Sequence, residues 1–229
     1  MSRKERRLAI LIRSSSFGQP LPNGLKPCKV GAMRITGGQA ARRLLRAPKG
    51  LDVRPTPDLV KQAVFNSLGS RVTGARVLEL FAGTGALSLE SLSRGAHSAV
   101  CVEISPRHAA LLRANVEGAG FDTGRLQVRI QDVFTALAQL RSANEHFDLV
   151  LADPPYGEKN IGRRSTSQAQ QLLDDARLPG LLAAGGLLVL GHTKRDTLTL
   201  PQAWRELKVL KHGDSRMRLL SVAADEGRH

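Results

Sequence analysis

Arg76-Val77-Leu78-Glu79-Leu80, then Phe81-Ala82-Gly83-Thr84-Gly85, then Ala86 to Arg94 reads as a buried strand, a glycine turn and a helix that stops at Gly95. The alternation continues downstream. Ala99 to Glu103 is a second strand, and Ser105 caps a helix that Pro106 opens and that runs to about Glu117, since proline lacks only a donor that a first turn leaves unpaired. Leu126 to Ile130 predicts a strand, Val133 to Arg141 a helix and Phe147 to Ala152 a buried apolar strand. After the polar loop Gly157 to Thr166 come a helix over about Gln168 to Leu182, a Gly185-Gly186 turn and the strand Leu187 to Leu190. Two last strands, about Glu206 to Leu210 and Met217 to Val222, flank Lys211-His212-Gly213-Asp214-Ser215, which is short enough for an antiparallel hairpin. Repeated strand-helix-strand units imply a doubly wound α/β sheet, mostly parallel and seven-stranded, with helices on both faces and an antiparallel edge.

Upstream of this core, Thr56 reads as the cap of a helix whose first position is Pro57 and whose inner face is Leu59, Val60, Ala63, Val64 and Leu68, with Gly69 beyond its end. Met33-Arg34-Ile35-Thr36-Gly37-Gly38 opens a strand, a glycine turn and a second arm, so residues 33 to 55 form a basic hairpin arm before an α/β domain over 56 to 222. Residues 1 to 32, rich in Ser, Pro and Gly without hydrophobic periodicity, read as a disordered extension, and 223 to 229 as a tail. Met33 is a second candidate start. Arg3, Lys4, Arg6 and Arg7 before Leu8 to Ile12 resemble a signal peptide only faintly, because five apolar residues are too few for its core.

Composition narrows the function. Lys and Arg number 34 against 20 acidic residues, a net charge of +14, which points to a polyanionic partner, nucleic acid before membrane. The excess is local: residues 1 to 50 hold 12 of the basic residues and one acid, Glu5, so Arg34, Arg42, Arg43 and Arg46 become candidate nucleic-acid contacts. Cys28 and Cys101 lie in no cluster and the six histidines never fall at ligand spacing, so no disulfide and no metal is expected. No stretch approaches the ~18 apolar residues of a membrane span, and reduced thiols suit a cytoplasmic protein.

In doubly wound sheets chemistry sits at the carboxyl ends of the strands. A dinucleotide-binding turn usually extends to GxGxxG, but its third glycine position here is Ser88. Glu79 sits badly against phosphate and well against an ammonium. Glu103 ends the second strand, where a carboxylate accepts both ribose hydroxyls, and Asp132 follows the third, within reach of an adenine edge. The three together suit S-adenosylmethionine, a cationic cofactor with an ammonium, a ribose and an adenine. After the fourth strand comes Asp153-Pro154-Pro155-Tyr156. Two prolines stiffen the loop and remove donors, leaving the Asp153 carboxylate and the Pro154 carbonyl as acceptors for the two hydrogens of an exocyclic amine. The amine lone pair then points at the methyl donor. Tyr156, the chain's only tyrosine, offers a face for the target base, worth ~1–3 kcal/mol.

ELFAGTG at Glu79 to Gly85, Val102-Glu103, Gln131-Asp132 and DPPY at Asp153 to Tyr156 resemble, in that order, a class I S-adenosylmethionine-dependent amino-methyltransferase with its Rossmann-like sheet. More narrowly, MRITGG at Met33, RPTPDLVKQAVFNSL at Arg54 and LELFAGTGALSLESLSRGA at Leu78 resemble the RsmD family, over Met33 to about Val222. The resemblance implies methylation of a guanine 2-amino group in small-subunit (16S) ribosomal RNA. It assigns Glu79, Phe81, Ala82, Gly83 and Gly85 to the methionine part, Glu103 with Ile104 to the ribose, and Asp132 with Val133 to the adenine side. Asp153, Pro154 and Tyr156 would hold the guanine, with Arg54 and Thr56 bordering the cleft. Two places depart from the family pattern: Ala41-Arg42-Arg43 where Arg-Gly-Arg is frequent, and Gly191 or His192 where an acid often follows the fifth strand.

Two other readings stay open at this level. An adenine-N6 methyltransferase acting on RNA or DNA would use the same amine loop, and identifying the methylated nucleoside separates it. A non-catalytic nucleic-acid-binding homologue would fail to bind S-adenosylmethionine. The expected partner is ribosomal RNA or the assembling small subunit, with the protein a monomer and Arg163 and Arg164 as candidate phosphate contacts.

Overall fold

A computed structural model describes residues 33–47, 56–156 and 163–223. The proposed extension over 1 to 32, Arg54 and residues 224 to 229 of the tail lie outside the described residues.

The described chain runs α1 (Asp58–Leu68), β1 (Arg76–Leu80), α2 (Ala86–Ser93), β2 (Ser98–Glu103), α3 (Pro106–Ala119), β3 (Leu126–Ile130), α4 (Val133–Ser142), β4 (Phe147–Ala152), α5 (Gln168–Asp174), β5 (Leu182–Thr193), β6 (Trp204–His212) and β7 (Ser215–Val222). The seven strands form one sheet in the order β3-β2-β1-β4-β5-β7-β6. The first five lie parallel, and β7 runs antiparallel between β5 and β6. Order reverses between β1 and β4, whose carboxyl ends are therefore the expected ligand crevice.

Strand alternation divides the core in two. Val77, Leu149, Leu151, Leu187 and Val189 face α1, α2 and α3, whereas Leu78, Leu80, Val150, Leu188 and Leu190 face α4 and α5. Central strands buried on both faces read as continuous apolar runs, which is why β1 and β4 are plain in the sequence. Each fully buried Leu or Phe contributes roughly 1.5–3 kcal/mol.

Four local expectations change. α1 starts one residue later, with Pro57 in the cap position and no side-chain cap, because the Thr56 hydroxyl is bonded elsewhere. Its buried face is Val60, Lys61, Val64, Phe65 and Leu68, and Leu59 is 69% exposed. Lys61 is accepted inside because its ammonium meets the Arg34 carbonyl and the Asp58 carboxylate. The helix expected over Gln168 to Leu182 is seven residues long: Asp175 bonds the Arg177 backbone N–H and side chain in a local turn, and Pro179 cannot continue a helix. Gly185-Gly186 is a bulge inside β5 rather than a turn before it, where the pairing with β4 jumps from Leu182 to Leu187 and Gly185 takes φ +74°. Finally, β6 and β7 extend until only Gly213-Asp214 separates them.

The arm over 33–47 closes on itself antiparallel at Arg34 and Leu44, and buries Met33, Ile35, Ala40 and Leu45 in the α1–α3 core. The fully buried Glu90 accepts from both the Thr36 N–H and hydroxyl, at 2.6 and 2.8 Å, and pairs with Arg94.

Candidate active site

Each parallel strand near the reversal ends by delivering one turn to a common pocket of about 450 Å³, a size suited to a small-molecule ligand. From β1 comes the glycine turn. Phe81, Gly83 and Gly85 all take positive φ, of 57°, 54° and 74°. Gly85 has no alternative, since a Cβ there would lie 2.7 Å from Leu112 Cγ. Phe81 bears the strain of a left-handed conformation that bulky residues avoid, a feature that concentrates at functional sites.

From β2 comes Glu103. Its Oε2 accepts from Gly83 N at 2.7 Å and its Oε1 from Ser105 N at 2.8 Å, so the carboxylate braces the glycine turn against the start of α3. His108 stands 3.5 Å from Oε1. Four lone-pair sites on a carboxylate leave capacity for further donors after these bonds. From β3 comes Asp132, whose Oδ1 caps α4 at Thr135 N, 3.0 Å away.

From β4 comes Asp153-Pro154-Pro155-Tyr156. Asp153 Oδ2 accepts from the Thr56 hydroxyl at 2.6 Å, which ties the loop to the segment leading into α1. Burial raises the Asp153 carboxyl above its ordinary range, against the lowering effect of that bond. On the other side lies Gly191 of β5, where a Cβ would fall 2.2 Å from Asp153 Oδ1. Asp153 therefore occupies the space that any side chain at 191 would fill. The absence of a side chain at Gly191 makes room for the Asp153 carboxylate. Tyr156, 43% exposed, holds its hydroxyl 3.3 Å from Ser215 Oγ on β7.

Of the residues singled out in the sequence, the pocket wall brings together Phe81, Gly83, Glu103, Ile104, Asp132 and Val133 with Asp153, Pro154 and Tyr156. Glu79, Ala82 and Gly85 stand behind that wall. Glu79 is almost fully buried and its oxygens accept from Leu87 N (3.3 Å) and Ser88 N (2.9 Å), so it caps α2 from below the turn. Burial pushes its carboxyl up to about 7, against those same bonds. The arm arginines are not on the wall either: Arg34 pairs with Asp58 at 2.7 Å, Arg43 bonds the Gly118 carbonyl, and Arg42 and Arg46 are exposed. Arg164 is engaged with Asp174.

Ser105, His108 and Gln168 are wall residues that the sequence reading does not assign to the site. Ser105 and Gln168 stand at helix starts, and a helix start facing the sheet's carboxyl end is the one available signal. Asn115 also escapes it. Its amide donates to the carbonyls of Thr84 and Arg46 and its oxygen accepts from Arg46 N, which locks the arm to the glycine turn.

Residues 33–221 match the family model described as conserved hypothetical protein 95. The chain belongs to this family. It is 33% identical over 175 residues to the ribosomal RNA small subunit methyltransferase D of Escherichia coli, covering 76% of this chain and 82% of that protein. Among solved structures, a hypothetical protein of Thermus thermophilus superposes with TM-score 0.68 at 31% identity, over 82% of this chain and 99% of that one. A putative methyltransferase of Escherichia coli, yhhF, does so with TM-score 0.69 at 28% identity, over 84% and 98%. With the strand order observed, the fold is that of the class I methyltransferases. Among the described residues no helix is long and apolar enough to cross a membrane.

Proposed function

We propose that this chain transfers a methyl group from S-adenosylmethionine to the exocyclic 2-amino group of a guanine in small-subunit ribosomal RNA. The observation that carries the proposal is a single pocket holding the amine loop, Asp153 to Tyr156, opposite Glu103 and Asp132. The chemistry of its wall fits the cofactor. In a protein of net charge +14, three carboxylates line the pocket and, among the described residues, no Lys or Arg does. Such a wall repels a pyrophosphate and favours a cationic nucleoside. Glu103, with Ile104 beside it, would take the ribose, and Asp132 with Val133 the adenine side. The Phe81 to Gly85 turn would take the methionine part, with Glu79 positioning that turn from below. When bound, the cofactor supplies an electrophilic methyl on a sulfonium.

The remaining work falls to this chain's own groups. The Asp153 carboxylate and the Pro154 carbonyl accept the two amine hydrogens, which orients the nitrogen lone pair away from the base ring. As the new N–C bond forms the amine gives up one proton, and Asp153, whose basicity burial has raised, is placed to receive it. Tyr156 supplies a stacking face for a base extruded from an unpaired region, where extrusion costs least. The Escherichia coli relative, a small-subunit rRNA methyltransferase, supports the choice of RNA, and the amine loop supports an exocyclic amine as acceptor.

Asp153→Ala tests the reading. Calorimetry should find the cofactor bound as in the wild type, while methyl incorporation into rRNA drops by at least about a hundredfold, and the wild-type product is N2-methylguanosine by mass spectrometry. Strong residual turnover in the variant, or methylated adenosine in the wild-type product, would refute it.

A further inference from the structure

We infer that the tip of the β6–β7 hairpin, together with the turn that follows β5, is a phosphate-binding surface that seats a nucleic-acid strand beside Tyr156. The inference rests on the nucleic-acid reading above and names where the polyanion is held.

Position comes first. Beyond Ala152 and Leu190, β5 pairs with β7 as Gly191–Met217, His192–Arg216 and Thr193–Ser215, and β7 pairs with β6 as Lys211–Arg216 and His212–Ser215. Neighbouring strands lie ~4.8 Å apart, so Arg216 and Lys211 stand two and three strands from the amine loop, at the same end of the sheet. Ser215 touches the pocket wall directly, through its hydroxyl contact with Tyr156 at 3.3 Å. A base stacked on Tyr156 would leave its own strand lying across this tip.

Charge comes second. Lys211 stands directly opposite Arg216, an arrangement that costs stability in a sheet because like charges face each other. Lys194 and Arg195 add two more positive charges from the β5 side, and Asp214, the exposed acid at the tip, is paired with Lys194 at 2.7 Å. Among the described residues, Arg195 and Lys211 are exposed and meet no hydrogen-bond or ion-pair partner with their side chains. Arg216 donates to the Gly213 and Ser215 carbonyls at 2.9 Å, which holds its guanidinium in place without neutralising it. Further along the same strands Arg218 meets Glu206 at 2.8 Å and Lys208 donates to the Ser67 hydroxyl at 3.1 Å. At the end that faces the pocket, Lys194, Arg195, Lys211 and Arg216 stand against one exposed acid, Asp214, among the described residues. No large exposed apolar residue lies between Thr193 and Arg195 or between Lys211 and Arg216, so the surface offers a membrane or an apolar protein face nothing to bury.

The test uses the full chain and a small-subunit rRNA transcript as probe, with binding followed by fluorescence anisotropy across a salt series. For Lys211→Gln/Arg216→Gln, losing two phosphate contacts should flatten the log K against log salt slope by ~1.4 and weaken binding about tenfold at ~0.15 M salt. KM for RNA should rise with kcat and cofactor affinity unchanged. Arg195→Gln, on an exposed turn, should flatten the slope by ~0.7 and checks the result should the double variant fold poorly. An unchanged slope in both variants overturns the inference. So does intact transcript binding with lost methylation of assembled subunits, which would make the tip a protein contact. In either case the wild type still methylates rRNA, whereas failure of the underlying reading would show as a wild type that does not.

Discussion

Gly191→Ala is the sharpest perturbation the site allows, because it adds one methyl group outside the pocket wall and presses hardest on the Asp153 carboxylate. The new Cβ would lie 2.2 Å from Asp153 Oδ1, 3.0 Å from Asp153 Cγ and 3.2 Å from Met217 Sδ. A flexible thioether accommodates the last contact. The first cannot stand, and relief requires the Asp153 carboxylate to move by about 1 Å, away from Thr56 Oγ1 and out of line with the amine; displacements of that size cost on the order of a hundredfold in rate. That corresponds to about 2.7 kcal/mol of transition-state stabilisation. Glu103 and Asp132 are untouched, so calorimetric affinity for S-adenosylmethionine should stay at the wild-type value while single-turnover methylation of rRNA slows. Overpacking of a central strand also costs roughly 1–3 kcal/mol in stability, which urea unfolding reads separately. A double-mutant cycle then isolates the mechanism: in an Asp153→Ala background, where the clash partner is gone, Gly191→Ala should cost almost nothing further in rate and less in stability. Wild-type turnover in Gly191→Ala, or the same loss with and without the Asp153 carboxylate, would show that the carboxylate's position is not what the glycine protects.

The buried carboxylates carry two more predictions. Thr56→Val removes the donor that holds Asp153 in its ionised form, so its carboxyl should rise further; activity needs the ionised form and is lost as pH falls through that value, so the acid limb of the kcat–pH profile should move to higher pH, with roughly a tenfold loss at neutral pH. Wild-type behaviour of that limb would place Thr56 outside the catalytic geometry. Glu79 has a folded-state pKa of about 7 against an ordinary 4.5, so its contribution to stability is complete at low pH and is lost as pH rises toward and through 7, up to about 3 kcal/mol. Glu79→Gln should therefore flatten the decline in unfolding free energy between about pH 5 and pH 8, and an unchanged decline would count against the assignment.

The layered α/β fold, the Asp153-Pro154-Pro155-Tyr156 loop and most of the acidic wall are legible in the order of residues alone, because they depend on short-range facts. Strands buried on both faces need continuous apolar runs, helix starts need caps, and a stiff acceptor loop needs adjacent prolines beside an acid. Which of these residues share a surface is settled only by packing. Glu79 and Glu103 both lie near the ends of strands of the same sheet, yet alternation along the strand and the packing of α2 and α3 turn one beneath the glycine turn and the other onto the pocket wall. Thr56 reads locally as a helix cap, but its hydroxyl finds a carboxylate 97 residues away, a partner no local propensity encodes. Gly191 reads, with His192, as one of two positions where the resemblance expects an acid, and only the register of β4 against β5 shows that the missing side chain of Gly191 is the space in which Asp153 sits.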